Sequence, residues 1–177
     1  MSFLNLLQHV EAISSCRDRE KLPRALLQAV SALFGSAADV GVFVRGGSEL
    51  PVLKAFSGSA RMEAALVAWL PLLAEVRNDG RVHTRVADGL NCGAIMLQPS
   101  ELCGDSILVA FSAGEEGFAA RCEEVRCLAS IYGHQIRLLD YGELDSLTRL
   151  LNRKTFEETF DRLLNPIDDA CLAGWVG

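Results

Sequence analysis

Near Asp39 the spacing of apolar residues changes from helical to alternating, and near Arg61 it changes back. A chain that does both must lay helices against a sheet. Before the change, Leu6, Val10 and Ile13 recur at helical spacing. A second helical stretch opens near Asp18, read as an N-cap, and carries Leu22, Leu26, Ala29 and Leu33 to Gly35. After the change, Val40, Val42 and Val44 alternate with Gly41, Phe43 and Arg45, and Gly46 and Gly47 turn the chain into a run over residues 50–56. That pattern is a β-hairpin.

Residues 61–77 return to helical period with Met62, Leu66, Trp69, Leu73 and Val76 on one face, and Pro71 is expected to kink or shorten the helix. Three short strands follow over residues 81–86, 92–98 and 106–112, separated by Asp88-Gly89 and by residues 99–104. A long helical stretch comes after Gly114. In it Phe118, Cys122, Val125, Ala129, Tyr132, Ile136 and Leu139 are separated alternately by four and three residues. Such a seam predicts a helix–helix interface and a parallel homodimer, the competing outcome being that the helix packs on its own sheet. The element order predicts an α+β fold, an antiparallel sheet of five to six strands with helices on one side and a long C-terminal helix.

With 177 residues, half of them apolar, the chain can bury one core and leave a short remainder. Its net charge of -6 argues against nucleic acid as a partner. No apolar run approaches the roughly 20 residues that cross a bilayer. The six cysteines are irregularly spaced without a CxxC pair, which fits free thiols in a reducing cytoplasm.

Several residues stand out as candidate ligands. Trp69 with Phe43, Val52 and Leu53 could line a small-molecule pocket between helix and sheet, with core packing as the competing role. Arg81, His83 and Arg85 share one strand face and could meet an anion, although alternation normally turns such residues to solvent. His9, His83 and His134 have no metal-ligand spacing, and Cys122 and Cys127 point away from each other on a helix, so no metal is expected.

The most specific run is Asp145-Ser146-Leu147-Thr148-Arg149-Leu150-Leu151-Asn152-Arg153, with Phe156 after two further residues. Asn152 suits a helix N-cap, and Leu151 before it with Phe156 after it can form a hydrophobic staple. The run resembles the D-x-L-T-x-L-x-N-R-x-x-F opening of GGDEF (diguanylate cyclase) domains. The upstream order of elements resembles GAF sensory domains. These resemblances imply a sensory domain over residues 1–137, a signalling helix and linker over 138–151, and the first helix of a GGDEF domain over 152–177.

They further imply a parent protein that condenses two GTP into cyclic di-GMP with magnesium, while this chain stops before the metal loop and the signature loop and is itself non-catalytic. Asp145, Leu147 and Thr148 would then shape a turn. The Asp168-Asp169 pair is expected to be a solvated loop without metal. Residues 117–139 are the expected transmitter and 142–151 the joint. Cys92 or Cys103, if exposed, would be the thiols to hold a bilin or sense oxidation. Two other implied roles are a degenerate nucleotide-binding receptor or scaffold and a purely structural dimerisation domain.

Overall fold

The N-terminal helical pattern is realised as α1 (Phe3–Ser14) and α2 (Leu22–Phe34). The computed structural model describes residues 3–35, 38–46, 50–58, 62–97, 104–114, 116–144, 148, 150–153, 155–157 and 160. Asp18 does not cap α2. Lys21 holds that position, Pro23 sits in the first turn, and the Asp18 carboxylate instead accepts the Glu20 N–H at 2.9 Å. Proline needs no N–H partner at a helix start, so it fixes the boundary downstream of the acid. Gly35, at φ 78°, ends the helix.

β1 (Asp39–Arg45), β2 (Val52–Ser57), β3 (His83–Ala87), β4 (Leu90–Met96) and β5 (Ser106–Ala113) form one antiparallel sheet in the order β2-β1-β5-β4-β3. The β1–β2 register slips between Val42 and Phe43, leaving Lys54 as the extra residue of a bulge. Asp88 and Gly89, at φ 50° and 77°, make the two-residue turn between β3 and β4. Positive φ at both positions matches the twist of the flanking strands.

β2 and β3 lie at opposite edges, so the chain between them must cross the sheet. It does so as α3 (Met62–Glu75), and this crossing corrects the expectation of helices on one side. One face of the sheet, through Val40, Val42, Ile95, Leu97, Val109 and Phe111, packs with α1, α2 and α4 (Phe118–Glu143). The other face, through Phe43, Cys92, Ala94, Leu108 and Ala110, packs with α3. The two sets alternate along each strand, which is the period of a pleat covered on both sides. Pro71 does not end α3; it stands on the exposed side, away from the sheet.

α4 settles the competing outcomes for its seam. Phe118, Cys122, Val125, Ala129, Tyr132, Ile136 and Leu139 are all buried in this chain's own core, none more than 9% exposed. The seam is therefore an intrachain one and is not free to pair with a second copy. A period of alternate fours and threes marks any narrow apolar strip on a helix, and here this chain's own sheet and its helices α1 and α2 share its core. Gln135, also buried, donates its Nε2 to the Cys16 carbonyl at 2.6 Å and so satisfies its amide within the core.

The chain divides into two compact units, Met1–Leu139 and Asp140–Gly177. In the second, residues 153, 155–157 and 160 are helical.

Candidate functional site

Trp69 is the largest side chain between α3 and the sheet, and it is fully buried. Its ring meets Phe43 edge-on, with centroids 6.0 Å apart and planes at 84°, and lies 6.2 Å from Phe56. The sheet makes room for it at Gly41, where a Cβ would stand 2.7 Å from Cζ3 of the indole. Cys92, Ala94 and Ala110 continue this floor of small residues. The tryptophan thus occupies the space where the sequence suggested a pocket, in the company of Phe43 and Leu53; Val52 is exposed instead.

The packing around the ring leaves one polar group over. The indole Nε1–H has no hydrogen-bond partner among the described residues. A buried N–H without an acceptor costs about 1–3 kcal/mol. The donor lies in an apolar interior that the ring itself fills.

His83 projects to the same face of the sheet, opposite Ala94, but its ring is engaged by Asp79 at 3.2 Å. The Asp79 carboxylate also accepts the Arg81 N–H at 2.9 Å. That backbone bond, with the His83 contact adding to it and a smaller desolvation opposing it, holds Asp79 below the usual carboxylate range. A fixed carboxylate at His83 disfavours a second anion there. Arg81 and Arg85 are exposed, so the three residues do not converge on an anion.

The thiols are similarly constrained. Cys92 is buried, and burial, then the charge of Asp88, raises its pKa. Cys122 is pushed up to about 11 by burial, with Glu123 adding to it. Cys92, fully buried, does not have the exposure on which its role as a reactive thiol depends. Cys103 and Cys171 lie outside the described residues. No group of His, Cys, Asp and Glu among the described residues could hold a metal, and no described helix is long and apolar enough to cross a membrane.

In the second unit the geometry centres on Asn152. Its Oδ1 accepts the Thr155 N–H at 2.9 Å, as an N-cap should. Its own N–H donates to the Glu143 carbonyl at 2.9 Å, and its Nδ2 donates to the Gly142 carbonyl at 2.7 Å. An isolated bridge pairs Leu144 with Leu151. One asparagine therefore starts the next helix and satisfies two carbonyls left open at the end of α4. The sequence identified the cap; the two bonds back to residues 142 and 143 carry no local signature.

Of the remaining motif residues, Thr148 accepts the Leu150 N–H at 3.4 Å through its hydroxyl, and Arg153 pairs with Glu157 at 2.8 Å on the surface. Phe156, expected to staple onto Leu151, is 56% exposed and stacks its ring on Phe160 with centroids 6.0 Å apart. Asp145, Leu147 and all residues beyond 160 lie outside the described residues. In comparison with known proteins, the chain matches no family model and no curated protein.

Proposed function

We propose that residues 1–139 are a GAF-like sensory unit of the cytoplasm and that residues 140–177 open a GGDEF domain, so that the chain regulates synthesis of cyclic di-GMP from two GTP. The observation that carries this is the bonding of Asn152. The resemblance rests on the run over residues 145–156, and Asn152 of that run closes a joint with Gly142 and Glu143 instead of lying idle in a loop. The order of helices and strands supports the sensory half, and the unpartnered indole of Trp69 supports a small ligand with a hydrogen-bond acceptor.

The complete burial of Trp69 favours a second reading, a domain that is structural and takes no ligand. Under either reading the catalytic residues are those of a complete cyclase domain, and this chain's role is to set how often two such domains meet.

The test is a chimera in which residues 1–156 are joined to the remainder of an active GGDEF domain. Asn152→Ala removes the cap and the side-chain bond to the Gly142 carbonyl, leaving only the backbone bond to Glu143. It is expected to reduce the effect of the sensory unit on the cyclic di-GMP rate at least several-fold while both parts stay folded by circular dichroism. An unchanged effect would remove the joint from the mechanism.

A further inference from the structure

α3 needs only one apolar face to cover the sheet, yet it carries no polar side chain between Glu63 and Glu75. Ala65, Trp69, Leu72 and Leu73 are turned to the core. On the other side Ala64, Val67, Leu70, Pro71 and Ala74 face solvent, with Val67 68% and Leu70 44% exposed. The exposed residues Glu63, Val67, Leu70, Ala74 and Arg77 follow one another at steps of four, three, four and three, a single narrow stripe. Arg77 lies just beyond the helix, whose last turn is continued by the Val76 N–H bonding to the Leu72 carbonyl at 3.1 Å.

The ends of the stripe are oppositely charged. Glu63 stands at one end and Arg77 at the other, both exposed, and neither side chain has a hydrogen bond or ion pair with a described residue. At about 1.5 Å per residue the stripe is about 21 Å long. A copy laid parallel would set Glu63 against Glu63 and Arg77 against Arg77. A copy laid antiparallel brings each Glu63 within about one turn of the other copy's Arg77, and places Leu70 beside the twofold axis. The small side chains of Ala64 and Ala74 permit close approach of the two helices.

We infer that the outer face of α3 is a self-association surface, pairing two copies of this chain antiparallel through Val67, Leu70 and Ala74, with Glu63–Arg77 ion pairs at both ends. The occupant follows from the charges: the stripe is complementary to itself in one orientation only. A single helix pair is small beside standard protein interfaces, so the association is weak and reversible. This inference stands whether or not the signalling role is correct.

Analytical ultracentrifugation of the whole chain tests it. The expected result is a reversible monomer–dimer equilibrium in the micromolar to millimolar range. Val67→Glu should weaken dimerisation at least tenfold, and because Val67 is largely exposed the variant should keep its melting temperature. Glu63→Arg and Arg77→Glu should each weaken the dimer, and the two together should restore it. Leu70→Cys should give a disulfide-linked dimer under mild oxidation, with the peptide that spans the substituted position found joined to its own copy by mass spectrometry. A chain that stays monomeric to millimolar concentration would overturn the proposal. So would association unaffected by Val67→Glu, or a charge swap that fails to restore pairing.

Discussion

Trp69 illustrates how one residue can be both a packing element and a chemical opening. Its ring fills the gap between α3 and a floor that Gly41 keeps free of side chains, while its N–H meets no acceptor among the described residues. Trp69→Phe removes that N–H and leaves a void, two effects of opposite sign and each about 1–3 kcal/mol. The expected net change in unfolding free energy is within about 1 kcal/mol, whereas Trp69→Ala should cost about 3–5 kcal/mol. Urea unfolding of the two variants checks this, and a Trp69→Phe loss well above about 1 kcal/mol would show that the indole N–H has a partner. Gly93 plays the corresponding part on the opposite face. A Cβ there would stand 2.4 Å from Cζ of Phe111, its cross-strand neighbour, whose ring joins Phe34 and Phe118 in an aromatic cluster.

At the scale of elements, α4 separates what a sequence can state from what it cannot. A strip of apolar residues at alternate fours and threes fixes a helix and its buried side but not what buries it, because a sheet and a second helix reward the same pattern. Val125 is 1% exposed. Val125→Glu is therefore expected to destabilise the fold by more than about 3 kcal/mol, because a carboxylate would enter an apolar core without a partner. Thermal melting checks this; a variant that keeps its melting temperature and changes only its mass in solution would reinstate the seam as an interface between copies.

The hairpin and the three later strands were legible because alternation and turn residues are local. The side taken by α3 was not, because it depends on β2 and β3 occupying opposite edges of the sheet. Asn152 was legible as a cap, but its bonds to residues 142 and 143 span about ten positions and leave no pattern in the sequence.

For the whole molecule, we propose that residues 1–139 govern the output of a cyclase domain entered at residues 140–156. Two GTP-loaded domains must meet for that chemistry, so a sensory unit that associates even weakly raises the effective concentration of one half-site near the other. The decisive measurement is the rate of cyclic di-GMP synthesis against protein concentration, for the chimera carrying residues 1–156 and for the same cyclase domain without residues 1–139. The predicted result is a half-maximal rate reached at a protein concentration at least about tenfold lower when those residues are present. Superimposable curves would contradict it.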